Sequence, residues 1–124
     1  MSEKIYTGNA PDAIGPYSQA VKVNGIVYTS GQIAINPATG NVEETTIEGQ
    51  TEQVMKNLKA VLEAAGSSLE KAVKTVCFLA DMNDFAKFNE IYGNYFTGKP
   101  ARSCVAVKTL PKNVLCEVEV IAEC

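Results

Sequence analysis

Toward the end of the chain, apolar residues recur at every second position. From Val114 to Ala122, Val114, Cys116, Val118, Val120 and Ala122 fall on one face, and Leu115, Glu117, Glu119 and Ile121 on the other. This is the period of a β-strand. The stretch from Ala72 to Ala80 alternates in the same way, Val73, Cys77 and Leu79 against Val76, Phe78 and Ala80, and predicts a strand buried on both faces. From Pro100 to Val107, Arg102, Cys104 and Ala106 alternate with Ser103, Val105 and Val107. Pro100 has no N–H to give and fits only the first residue of a strand or an edge.

Nearer the start, Tyr17 to Val23 and Ile26 to Ile35 flank Asn24-Gly25, the dipeptide favoured by a two-residue type I′ hairpin. The turn pairs Val23 with Ile26, Gln19 with Ser30 and Tyr17 with Gln32, which gathers Tyr17, Gln19, Val21, Tyr28, Ser30 and Gln32 on one face. Gly31 marks either a bulge or a close approach of backbone to a neighbour or ligand. Lys4 to Thr7 forms a short first strand, followed by a loop rich in proline and glycine.

Two segments follow the helical period instead. Between Ile47 and Ala65, Val54, Met55, Leu58, Val61, Leu62 and Ala65 share a stripe, with Thr45 and Glu48 placed as a capping box and Gly66 as the C′ residue. A second helix, capped by Asp81 or Asn83, runs to about Phe96 and carries Phe85, Phe88, Ile91, Tyr92, Tyr95 and Phe96 as an aromatic stripe for the core. Strand, hairpin, helix, strand, helix, strand, strand predicts an α+β fold, a single sheet with two helices on one face. The other face, read as holding Tyr17, Ser30, Gln32, Arg102, Glu117 and Glu119 among Val21, Tyr28, Leu115 and Ile121, is expected to meet another subunit, with a polar pocket at the boundary.

The 124 residues are read as a single domain, 1–124. A net charge of −3 leaves no basic surface for a phosphate backbone, so nucleic acid is not an expected partner. No apolar run spans a membrane, and Met1-Ser2-Glu3-Lys4 does not resemble a signal peptide, so a cytoplasmic protein is expected. The four cysteines lack C-x-x-C spacing and there is no histidine, which argues for free thiols and against a metal site. Without histidine, acid–base work falls to Glu, Asp, Tyr, Cys or Lys.

Arg102 stands where a half-buried strand ordinarily places an apolar residue. If its strand pairs with the last one, the guanidinium and the Glu117 or Glu119 carboxylate can share a pocket suited to a small carboxylate that needs a proton moved. An ordinary surface ion pair would give the same pattern.

Ala13-Ile14-Gly15-Pro16-Tyr17-Ser18, Thr29-Ser30-Gly31-Gln32, Met82-Asn83-Asp84-Phe85, Pro100-Ala101-Arg102-Ser103 and Glu117 to Ala122 together resemble the Rid (YjgF) family of reactive intermediate deaminases, nearly end to end. The resemblance implies a chorismate-mutase-like, YjgF-like fold and a homotrimer whose sheets form an inner barrel, with sites in the clefts between subunits. It implies hydrolysis of 2-imino acids such as 2-iminobutanoate and 2-iminopropanoate, in equilibrium with enamines, to 2-oxo acids and ammonia. No cofactor is implied, and the link to pyridoxal-phosphate-dependent dehydratases is functional. By resemblance, Arg102 grips the substrate carboxylate and Glu117 stands near the attacking water. Tyr17, Ser30, Gly31 and Cys104 line the cleft, and Asn89 and Tyr92 lie near it.

Cys104 is open to two readings, a nucleophilic thiolate or a small residue on the cleft floor. The loop Phe96-Thr97-Gly98-Lys99 is short for this family, with Lys99 where an apolar residue often precedes the proline, which bears on the mouth of the cleft. Two other readings stand beside the deaminase: a binding module for 2-oxo acids without turnover, and the ribonuclease or translation inhibitor for which this family has been named, against which the chain's acidity and lack of histidine weigh.

Overall fold

The computed structural model describes residues 1–124. In chain order the elements are β1 (Glu3–Ile5), β2 (Ala20–Val23), β3 (Ile26–Thr29), β4 (Ile35–Asn36), β5 (Asn41–Val42), α1 (Ile47–Ala64), β6 (Ala72–Leu79), α2 (Phe85–Tyr95), β7 (Ala101–Ala106) and β8 (Cys116–Glu123). Six strands form one mixed sheet in the order β1-β2-β3-β8-β6-β7, and β4 and β5 form a small ribbon beside it. The fold is α+β, as the patterning predicts.

Helix α1 begins where a side chain can satisfy its free N–H groups. The cap is Thr46, whose Oγ1 accepts from the Gly49 N–H at 3.0 Å, and not the predicted Thr45. At the other end Gly66 adopts φ +81° and the Ser67 N–H reaches back to the Leu62 carbonyl at 2.8 Å, closing the helix with a Schellman turn. Val54, Met55, Leu58, Val61 and Leu62 are fully buried against Cys77, Leu79, Cys116, Val118 and Val120 of the sheet. Phe88, Tyr92 and Phe96 extend this core from α2. That helix is preceded by a 3-10 turn, Met82–Asp84, capped by the Asp81 carboxylate on the Asn83 N–H.

Both helices lie on one face of the sheet, so the other is bare in the single chain. Tyr28, Val73 and Val105 are each close to half exposed. The expectation that β6 is buried on both sides therefore fails for Val73.

The strand pairing corrects a second expectation. β7 runs parallel to β6, with Arg102 opposite Thr75 and Cys104 opposite Cys77. β8 lies along the other edge of β6, with Glu117 opposite Phe78 and Glu119 opposite Val76. The strands bearing Arg102 and Glu117 are thus not neighbours. Because Thr75 and Cys77 are buried under the helices, Arg102 and Cys104 share the helical face, while Glu117 and Glu119 occupy the open one. The cause is topological: β6 and β7 are joined through α2, and such a crossover returns the chain parallel to where it left.

The Asn24-Gly25 hairpin has the predicted register, Val23 opposite Ile26 and Ala20 opposite Thr29. Its regular part is shorter than predicted, and Gly31 lies in a bulge. Tyr28 pairs with Ile121 but Gln32 with Val118, so four steps along the first strand match three along the second. Inside the bulge, the Val120 N–H bonds to Thr29 Oγ1 at 3.0 Å. The slip turns Gln32 inward, where it is buried instead of sharing the exposed side with Tyr28. Gln19 is buried too, its amide donating to the Pro11 carbonyl at 2.8 Å and accepting from the Thr7 N–H at 2.7 Å, which pins the loop before β2.

Candidate functional site

The residues singled out from the sequence fall into two groups on opposite faces of the sheet. The first is built on α2 and β7. Phe85, Asn89 and Tyr92 are spaced by four and three residues, which puts them on one side of the helix, and that side meets Arg102. The guanidinium lies 4.8 Å from the Tyr92 ring centre and 5.5 Å from that of Phe85, within the range of cation–π attraction. Its Nη1 donates to Asn89 Oδ1 at 2.7 Å. Tyr92 is fixed in turn, because its hydroxyl and Thr75 Oγ1 are hydrogen-bonded at 2.6 Å where neither reaches water.

No carboxylate of the chain pairs with Arg102, since the chain's one ion pair is Lys87–Glu48 at 3.9 Å. The result is a half-buried cation held in one orientation, with guanidinium N–H groups to spare. Asn89, Tyr92, Phe96, Lys99, Pro100 and Arg102 line a cleft of 320 Å³ beside it.

The second group is built on the bulge and β8. Gly31 lies directly over the Glu117 side chain: a Cβ at position 31 would stand 2.9 Å from Glu117 Cδ. Burial raises the Glu117 carboxyl above the usual carboxylate range, and the negative charge of Glu119 adds to the effect. Ser30 is nearby, its hydroxyl donating to the Ser18 carbonyl at 2.6 Å. Tyr17 folds back over Gly15, its ring 3.3 Å from where a Cβ would be, and accepts from the Ile14 N–H at 3.3 Å. Tyr17, Gly31, Glu117 and Pro111 border a cleft of 210 Å³ that continues toward Ile14, Ile33 and Ile35.

Cys104 sits beside the first group. Its thiol is pushed up by burial, an effect opposed by the Arg102 charge and by a hydrogen bond from Cys77. Burial pushes Cys77 to about 12 and Cys116 to about 11, so the interior thiols are protonated at neutral pH. No group of three or more His, Cys, Asp or Glu side chains is placed to hold a metal ion. No helix is long and apolar enough to cross a membrane.

Residues 7–124 match the family model described as Endoribonuclease L-PSP. A RutC family protein of Pyrococcus horikoshii is 54% identical over 98% of this chain and 98% of its own. The 2-iminobutanoate/2-iminopropanoate deaminase of Salmonella typhimurium is 49% identical, again over 98% of each chain. The crystal structure of a Rid-family protein from Yersinia pestis superposes with a TM-score of 0.97 at 53% identity and covers 100% of both chains. The chain belongs to the Rid (YjgF/RutC) family.

Within that family fold, the structure brings Arg102, Asn89, Tyr92 and Cys104 to one side and Tyr17, Ser30, Gly31 and Glu117 to the other. Three residues at these sites escaped the sequence reading. Phe85 reads from sequence as part of the aromatic stripe, although its spacing from Asn89 and Tyr92 is the signal that sets it apart. Thr75 carries no local signal, since its partner is set by the packing of α2. Pro111 begins a turn, Pro111–Asn113, in which Lys112 and Asn113 take φ +56° and +54°, rare values for residues other than glycine.

Proposed function

We propose that this protein is a deaminase that hydrolyses small 2-imino acids to 2-oxo acids and ammonia, in clefts formed between the subunits of a homotrimer. The observation that carries this reading is Arg102, a cation oriented by Asn89 and two aromatic rings and left without a carboxylate of its own chain. A planar guanidinium binds a carboxylate through two parallel N–H bonds. The family relationship to a 2-iminobutanoate/2-iminopropanoate deaminase supports the same chemistry.

Arg102 and Glu117 lie on opposite faces of one chain, so a single subunit offers two halves of a site. β7 is an edge strand, and a second subunit placed against it would bring its Gly31–Glu117 cleft to the first subunit's Arg102. The bare sheet face with Tyr28, Val73 and Val105 would be covered in the same assembly.

In this reading Arg102 fixes the substrate by its carboxylate. A water held near Glu117 attacks the carbon of the protonated imine while the Glu117 carboxylate accepts a proton from it, giving a neutral carbinolamine. Glu117 then returns that proton to the nitrogen, the C–N bond breaks and ammonia leaves, and the hydroxyl passes its proton back to the Glu117 carboxylate as it becomes the carbonyl. Burial raises the Glu117 carboxyl, which makes its carboxylate a stronger base toward the attacking water than a solvated one. Imines hydrolyse readily in water, so orientation supplies much of what is needed.

The test adds the protein to a threonine dehydratase reaction containing semicarbazide, which captures free imine. Wild type is expected to divert imine from the trap to 2-oxobutanoate, and Arg102→Ala to lose on the order of 10–100-fold of that activity, the range for a charged hydrogen-bonding partner. A partition unchanged by wild type, together with tight binding of 2-oxobutanoate, would replace the enzyme by a binding module.

A further inference from the structure

The cleft beside Arg102 contains a second cation. Lys99 lines it with Arg102, and no Asp or Glu does. Neither cation has an ion-pair partner within its own chain, so the cleft of one subunit presents two positive charges that its own side chains do not compensate. The Lys99 side chain is exposed, but its backbone is fixed. Its backbone is held at φ +54° with its N–H bonded to the Phe96 carbonyl at 3.2 Å, and Pro100 stiffens the residue that follows. The loop is pinned from behind, since a Cβ on Gly98 would stand 3.0 Å from the Glu70 carbonyl oxygen. A non-glycine residue in the left-handed region carries strain that the surroundings must enforce. Here the enforced conformation places Lys99 in the lining of the arginine cleft.

We propose that this cleft takes a dicarboxylate, with the α-carboxylate on Arg102 and the second carboxylate on Lys99. This rests on the reading of Arg102 as the carboxylate grip. The substrates so defined are 2-imino dicarboxylates, the imines formed when the α-carbon of aspartate or glutamate is oxidised, and the ligands to test are their 2-oxo counterparts. A lysine suits the second position because its ammonium acts as a point charge on a flexible stem and tolerates dicarboxylates of different length.

The experiment is calorimetric titration of the full-length protein with 2-oxoglutarate and with 2-oxobutanoate at low and high salt. It is repeated for Lys99→Met, Lys99→Arg and the control Lys87→Met, which removes a lysine outside the cleft. Wild type is expected to bind 2-oxoglutarate roughly five- to tenfold more tightly at low salt, with the margin shrinking at high salt. Lys99→Met is expected to abolish the margin while leaving 2-oxobutanoate within about twofold, Lys99→Arg to keep it and Lys87→Met to leave it unchanged. Equal affinities in wild type would overturn the proposal. So would a Lys99→Met variant that melts at lower temperature yet keeps the margin, because Lys99 would then serve only the carboxyl end of α2.

Binding needs no turnover, so this result is separable from the trapping assay. Diversion of imine from the trap without a dicarboxylate margin would leave a deaminase for monocarboxylates. A margin without any diversion would leave a dicarboxylate binding cleft.

Discussion

Glu117 passes directly beneath the backbone of Gly31, so closely that a methyl group at position 31 would stand 2.9 Å from the carboxylate carbon. A contact that short cannot be kept, and here the atom that must move is the one proposed to handle protons. Gly31→Ala is therefore expected to lower imine turnover by at least about tenfold, as misplacement of a catalytic group by about 1 Å does. Its melting temperature should remain close to wild type, because what the new methyl group meets is the end of the half-buried Glu117 side chain, which can turn aside. Full activity in this variant would detach Glu117 from the chemistry.

Glu117 also sets a pH dependence of stability with a definite sign. Its carboxyl is raised in the folded state, first by burial and then by Glu119, so the folded chain binds this proton more tightly than the unfolded chain does. The penalty is absent below the ordinary carboxylate range, near pH ~4, and grows as pH rises through the folded value. Glu117→Gln never carries the charge. Its melting temperature relative to wild type should rise as pH increases from the acid range to neutrality, and a difference that stays flat with pH would contradict the burial argument.

Thr75 and Tyr92 offer a test of how Arg102 is oriented. Their buried hydrogen bond of 2.6 Å fixes the ring on which the guanidinium rests. Thr75→Val leaves the Tyr92 hydroxyl unpartnered and should cost about 1–3 kcal/mol. Thr75→Val with Tyr92→Phe should cost less than the sum of the single changes, because it removes both ends of the bond. If the bond also orients Arg102, both single variants should weaken 2-oxobutanoate binding several-fold, whereas Thr75→Ser should restore it.

Cys104 separates the covalent mechanism from the hydrolytic one. Its thiol is raised by burial despite the neighbouring Arg102, which works against a thiolate nucleophile at neutral pH. Cys104→Ala is expected to keep most of the deaminase activity in the semicarbazide assay, within about threefold. A loss as large as that of Arg102→Ala would restore the covalent reading.

Much of the architecture is written in local periodicity. The period-two run from Val114 to Ala122 places Val114, Cys116, Val118, Val120 and Ala122 in the core, where all are buried. The 3.6-residue stripe predicts α1 to within one residue, and Asn24-Gly25 predicts the hairpin register. These succeed because each depends on neighbours in sequence. The cap of α1 falls one residue beyond the pattern's Thr45, because Thr45 and Thr46 offer the same hydroxyl and only the path of the chain entering the helix selects between them.

What sequence alone determined is the main elements, the sidedness of most of their positions and the candidate residues. Only the tertiary structure decided which of those residues meet. A strand pattern says which side chains share its own face, but it does not say which strand lies beside it or which face the helices cover. The α2 crossover makes β7 parallel to β6, and that single topological choice puts Arg102 under the helices and Glu117 on the open face. The bulge at Gly31 is flagged by the glycine itself, but only the structure shows that it turns Gln32 inward and opens the space Glu117 occupies. Side-chain sidedness is a local property of the backbone, whereas the approach of two strands is set by the packing of everything between them.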